Sequence, residues 1–186
     1  PGPNAVLLLE RDSIPLSLIV RDTNKFSNNV MAKMLLLDLG AARFGEPATW
    51  EKGQAAIQSW LADKGLAIPE LVIENGSGLS RRERLSPSSV AMLLAWAARQ
   101  PLYYEFAASL PALGQEGTQQ RRMNGSAHAG RAWLKSGSLN GVRNVAGYFL
   151  DASGRRKLMV LFVRDASPAQ ATRLQEAVID WALASR

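Results

Sequence analysis

The chain has 186 residues, of which 47% are hydrophobic and 20% charged, with no cysteine and a single histidine. This composition can bury one core, and it excludes a disulfide framework, a thiolate metal site and a histidine-rich metal centre, so no metal and no cofactor is expected. The formal charge of +6 favours an anionic partner without naming one. The basic residues fall in small groups at turns (Arg81, Arg82 and Arg84; Arg121 and Arg122; Arg155, Arg156 and Lys157). They read as solvated surface, not as the continuous stripe of a nucleic-acid interface.

No apolar run reaches the length of a membrane span. The amino terminus, Pro-Gly-Pro-Asn-Ala-Val-Leu-Leu-Leu-Glu, has neither a basic flank nor a small-residue cleavage site, so a mature, internal or truncated chain is expected. In chain order, apolar spacing predicts a short helix over 14–25 running to Phe26, then a second from Val30 to Gly40 or Gly45 with Ser27 or Asn28 as N-cap. The second helix is apolar on most sides and is expected to be largely buried. An amphipathic helix follows over 50–64, with Gly65 in the position of a C-cap glycine. A short strand over 71–73 leads into Glu-Asn-Gly-Ser-Gly-Leu-Ser, which reads as a shaped loop, and Ser86-Pro87 opens a helix to about Arg99.

The last third changes character. Residues 133–138, 143–150 and 157–164 alternate as strands separated by Asn140-Gly141 and Ala152-Ser153-Gly154, which predicts two successive hairpins with one half-buried face. Ser167-Pro168 starts a closing helix through Val178, Trp181 and Leu183. The expected class is α+β: a helical region at about 14–110, then three antiparallel strands and a terminal helix at about 131–184.

Three segments have compositions that packing alone does not explain. Lys25-Phe26-Ser27-Asn28-Asn29 lies at a helix junction, where capping is the plain reading. Lys135-Ser136-Gly137-Ser138 places a lysine on a strand and a glycine two residues on. An ammonium beside two hydroxyls at an open strand edge can hold a carboxylate and align a peptide as an added strand. A lysine that discourages edge pairing is the alternative. Asn75-Gly76-Ser77-Gly78-Leu79-Ser80 is glycine-rich, but it lacks the lysine ending of a phosphate loop and the spacing of a nucleophile elbow.

Taken in order, these segments resemble the active-site serine acyl-transferases, in which Ser-x-Asn and Lys-Thr-Gly accompany a Ser-x-x-Lys nucleophile motif. More narrowly, Arg21-Asp22-Thr23 leading into Ser27-Asn28-Asn29, then Asn75 to Arg81, Gly137 to Val142 and Ala146-Gly147-Tyr148 are similar to the class C low-molecular-mass penicillin-binding proteins. These are the D-Ala-D-Ala carboxypeptidases and endopeptidases, and the resemblance runs from about Ile14 to the carboxy terminus.

The resemblance implies a penicillin-binding, β-lactamase-like transpeptidase fold, present only in part as a single partial domain over 1–186. It implies that Ser27 relays a proton to the leaving amine, that Asn29 hydrogen-bonds the bound peptide and that Lys135 tunes the relay. Ser136, Gly137 and Ser138 would bind the terminal carboxylate, with the Ser138 N–H as an oxyanion donor, and Asn75, Gly76, Ser77 and Gly78 would shape the cleft. The implied partners are the D-Ala-D-Ala stem peptide of peptidoglycan, β-lactams and the missing amino-terminal part of the same protein. The implied compartment is the periplasm.

Two departures qualify this. Ser136 stands where threonine is usual and Asn75 where aspartate is common, so the hydroxyl is kept but a charge is lost. No serine is followed three residues on by lysine, and Ser153 with Arg156 comes nearest. The nucleophile is therefore absent from this chain, and the chain by itself is expected to be inactive. The alternatives are a non-catalytic module that binds peptidoglycan stems and a β-lactamase relative.

Overall fold

The computed structural model describes residues 6–164 and 167–186. Helix α1 (Leu16–Phe26) and helix α2 (Asn29–Phe44) meet at a sharp junction. Ser27 ends α1 in the left-handed conformation (φ 53°, ψ 47°), and the Asn28 side chain then caps α2 by accepting from the Val30 and Met31 N–H groups. Helix α3 (Trp50–Asp63) is capped by Thr49 and stops just before Gly65, whose positive φ suits a helix terminus.

Helix α2 departs from expectation, because only Leu36 and Gly40 are buried and Val30, Met34, Leu39 and Phe44 are exposed. The reason is geometric. Its apolar residues surround the helix, but α3 covers one flank only, and it does so with the backbones close together at two glycines. A Cβ at Gly40 would lie 2.5 Å from the Gly53 nitrogen, and a Cβ at Gly53 would lie 2.5 Å from the Leu36 carbonyl oxygen.

The strand expected over 71–73 is reduced to a single bridge between Val72 and Arg84. Helix α4 (Pro87–Ala97) begins with Ser86 as cap, and a seven-residue helix α5 (Tyr103–Ser109), not foreseen from the sequence, follows it. A short 3-10 turn at Gly117–Gln119 precedes the sheet.

Strands β1 (Ala132–Leu139), β2 (Val142–Leu150) and β3 (Arg156–Arg164) form an antiparallel meander in that order, closed by helix α6 (Pro168–Ala184). The sheet is covered on both faces, which corrects the half-buried reading. Ala132, Leu134, Val145, Phe149 and Met159 pack with Ile179, Ala182 and Leu183 of α6. On the other face Trp133, Tyr148, Leu158 and Val160 meet Leu94 of α4 and Tyr103 and Ala107 of α5. Both alternating sets of side chains are apolar because each has a helical layer to meet. Tyr148 joins the layers: its hydroxyl donates to the Leu94 carbonyl at 2.8 Å, and its ring meets that of Tyr103 edge to face at 5.0 Å.

The basic groups near the second hairpin are not simply solvated. Buried Asp151 accepts from Arg155 and pairs with Lys157 at 2.9 Å, while Arg156 lies 4.2 Å over the Tyr103 ring. Arg122 is half-buried and donates to Gln175 of α6. Among the described residues no helix is long and apolar enough to cross a membrane.

Candidate active site

The side-chain alternation that sends Ala132 and Leu134 toward α6 sends Trp133 and Lys135 toward the helical layer. Lys135 therefore leaves β1 on the side where α1 and α2 meet. Its Nζ donates to Ser27 Oγ at 2.8 Å and to the Ser136 carbonyl at 2.7 Å. Residues separated by more than a hundred positions in sequence are thus in direct contact. Burial holds the Lys135 pKa below the ordinary lysine range, because the ammonium has been taken out of water.

Ser27 reaches this position because of its backbone. A non-glycine residue in the left-handed region is uncommon and carries strain. Here it turns the chain from one helix directly into the next and puts the hydroxyl in front of β1. Asn29 is the first residue of α2 and is exposed near the same junction.

The open edge of β1 completes the arrangement. Toward its start this edge is occupied, since Leu134 N–H donates to the Pro111 carbonyl at 3.0 Å and Leu113 N–H to the Ala132 carbonyl at 2.8 Å. Because antiparallel pairing alternates residue by residue, the N–H groups of Ser136 and Ser138 point to the same edge as that of Leu134. Gly137 and Ser138 are exposed there, and Ser136 Oγ lies 3.2 Å from Thr118 Oγ1. An extended chain with a terminal carboxylate can pair with this edge, finding backbone donors, hydroxyls and a nearby ammonium.

Among the described residues no hydrogen bond joins the loop at Asn75, Gly76, Ser77 and Gly78 to Ser27 or Lys135. Asn75 Oδ1 accepts from the Ser77 N–H and hydroxyl, and the Glu83 carboxylate accepts from the Glu74 and Asn75 N–H groups. The loop packs on α2, where a Cβ at Gly76 would lie 3.2 Å from the Ala32 carbonyl oxygen. Arg81 ties its far end to the β1–β2 turn by donating to the Asn140 carbonyl at 2.8 Å. Gly76 and Gly78 line a cavity of about 1350 Å³ between α2–α3 and the end of the sheet, together with Leu39, Ile57, Trp60 and Phe162. Neither Ser27 nor Lys135 lines it.

The sequence reading missed Thr118, which meets Ser136, and Glu116 and Asn24, which tie the end of α1 to the stretch before β1. Gly117-Thr118 was the available signal, a glycine beside a hydroxyl shortly before the strand.

The model of the D-Ala-D-Ala carboxypeptidase 3 (S13) family matches residues 2–185. The D-alanyl-D-alanine carboxypeptidase of Actinomadura sp. (strain R39) is 32% identical over 171 residues, covering 89% of this chain and 32% of that protein. D-alanyl-D-alanine carboxypeptidase DacB of Haemophilus influenzae is 28% identical over 163 residues, covering 87% of this chain and 34% of that protein. The solved structure of penicillin binding protein 4 from Haemophilus influenzae superposes with a TM-score of 0.86 at 24% identity, covering 92% of this chain and 40% of that one. The chain thus spans about a third of the curated relatives it matches. Its α+β architecture is that of the penicillin-binding fold, and the chain belongs to the D-Ala-D-Ala carboxypeptidase 3 (S13) family.

Proposed function

We propose that this chain is the carboxy-terminal part of a serine-type D-Ala-D-Ala carboxypeptidase or endopeptidase, forming one part of a single penicillin-binding domain. It supplies the proton relay and the carboxylate-binding edge, while a segment outside the chain supplies the nucleophile. The observation that carries this reading is the 2.8 Å hydrogen bond from Lys135 Nζ to Ser27 Oγ, at the edge of β1.

The chemistry follows from donor counting. Because the ammonium donates to Ser27 Oγ, the hydroxyl proton is free to point elsewhere, toward a leaving group. The nucleophilic oxygen attacks the penultimate D-Ala carbonyl, and the developing oxyanion takes a hydrogen bond from the Ser138 N–H. The C–N bond then breaks, and the proton given up by the nucleophile's hydroxyl passes through Ser27 to the departing amine of the terminal D-Ala. Water hydrolyses the resulting ester in the second half of the reaction. Ser136 and Ser138 hold the terminal carboxylate, Gly137 keeps the strand open to the peptide, and Asn29 hydrogen-bonds the peptide from the other side. The loop at Asn75, Gly76, Ser77 and Gly78, expected to shape the substrate cleft, instead shapes the cavity beside α2 and takes no part in these steps. β-Lactams acylate the same nucleophile. The substrate class locates the protein at the cell wall, in the periplasm.

Two observations support the partial nature of the chain. No serine precedes a lysine at the motif spacing, and an open cleft of about 1350 Å³ with a largely apolar lining lies between α2–α3 and the end of the sheet. Its lining includes Asn144, whose Oδ1 is buried without a partner among the described residues. Labelling with a fluorescent penicillin tests the reading. The full-length protein takes the label covalently and this chain does not; labelling of the chain itself would show that the nucleophile is within it.

A further inference from the structure

Thr118 has no part in the roles above, yet it stands against the open edge of β1 with its Oγ1 3.2 Å from Ser136 Oγ. It is exposed, and an exposed threonine is ordinarily just solvated surface. This one is held in place from several directions. Lys25, two residues before Ser27, pairs with Glu116. The Glu116 carboxylate also accepts from the Ala112 N–H.

Gly117 lies so close to α1 that a Cβ there would fall within 2.1 Å of the Lys25 carbonyl oxygen. Asn24 donates to Ser109 Oγ at 2.8 Å. The same stretch pairs with β1 through Leu113 and Pro111. Residues 109–118 therefore bracket the end of α1 to β1, the two elements that carry Ser27 and Lys135, and Thr118 is the hydroxyl at the tip of that bracket.

Each hydroxyl has one proton to donate. When the Thr118 and Ser136 hydroxyls bond to each other, one of those two protons is left over and can rotate toward the strand edge. A carboxylate accepts at about four lone-pair sites, so it can take donors from both. We infer that Thr118 is a third hydroxyl of the carboxylate-binding edge, beside Ser136 and Ser138, and that it donates to the terminal carboxylate of the bound substrate. This rests on the carboxypeptidase reading given above.

The test measures the second-order rate of acylation of the full-length protein by a penicillin and by the methyl ester of the same penicillin. In Thr118→Val the ratio of acid to ester rates falls about ten- to a hundredfold, the loss of one hydrogen bond to a charged group, and Thr118→Ser restores it. Equal slowing with acid and ester, or no slowing with either, would overturn the proposal while leaving the carboxypeptidase reading intact. A wild-type protein that neither compound acylates would overturn that reading, and the proposal with it.

Discussion

Both faces of the sheet are covered, by α6 on one side and by α4 and α5 on the other, whereas α2 rests on α3 along one flank and leaves Val30, Met34 and Phe44 exposed. The two regions carry similar proportions of apolar side chains and differ in how many neighbours those side chains have. The sheet layer is closed within this chain. The α2–α3 layer is closed along the close backbone approach at Gly40 and Gly53 and opens onto the large cavity. The candidate site lies on the boundary, with Ser27 contributed by the helical side and Lys135 by the sheet side.

That boundary is the most sensitive place to perturb. In the full-length protein, Lys135→Met is expected to lower kcat/KM for a D-Ala-D-Ala peptide by about 10²–10⁴-fold, the usual contribution of a positioned proton-transfer group. A retained rate would separate the two halves of the site. The same substitution in this chain also acts on stability. Burial lowers the folded-state pKa of Lys135, so the unfolded chain binds the proton more tightly at this residue. The cost of burying the charge is fully present below the folded pKa and fades as pH rises from there to the ordinary lysine value. The charge-burial part of the difference therefore favours Lys135→Met at neutral pH, against the two hydrogen bonds it removes, and shrinks in alkaline denaturant titrations.

Within the sheet layer, Leu134 is wholly buried against α6, and Leu134→Ala is expected to cost about 2–5 kcal/mol in urea unfolding. Within the helical layer, Gly53→Ala forces α2 away from α3 and is expected to cost about 1–3 kcal/mol. Hydrogen exchange should register that loss in α2 and α3 while the amides of β2 keep their protection, and equal loss in both regions would show that the layers unfold as one unit.

The Glu70 carboxylate accepts from the Ser86 and Ser89 hydroxyls, and these hydrogen bonds bring its pKa from 4.5 down to about 2. The stability this gives the start of α4 is present above pH 4.5 and is lost as pH falls toward 2. Glu70→Gln should remove that part of the acid dependence from a pH series of denaturation midpoints. The smallest effect is expected at Met34, where replacement by Gln on the uncovered face of α2 should change stability by no more than about 0.5 kcal/mol.

Local patterns in the sequence determined a good deal. The turn residues Asn140-Gly141 and Ala152-Ser153-Gly154 announced the two hairpins, and Ser86-Pro87 and Ser167-Pro168 the starts of α4 and α6, because capping and turn chemistry act over only a few residues. It was the family resemblance carried by the motif segments, not any one local pattern, that implied a shared site for Ser27, Lys135 and Ser136. Helix α5, the reduction of residues 71–73 to one bridge and the bracket formed by residues 109–118 were not legible, since each depends on what the rest of the chain presents to it. The same holds for α2. An apolar circumference shows that a helix can be buried, but not which of its flanks has a neighbour. Only the tertiary structure brought Lys135 to Ser27 across more than a hundred residues and set Thr118 against Ser136, because such contacts depend on how separate elements pack and not on any local preference of the residues themselves.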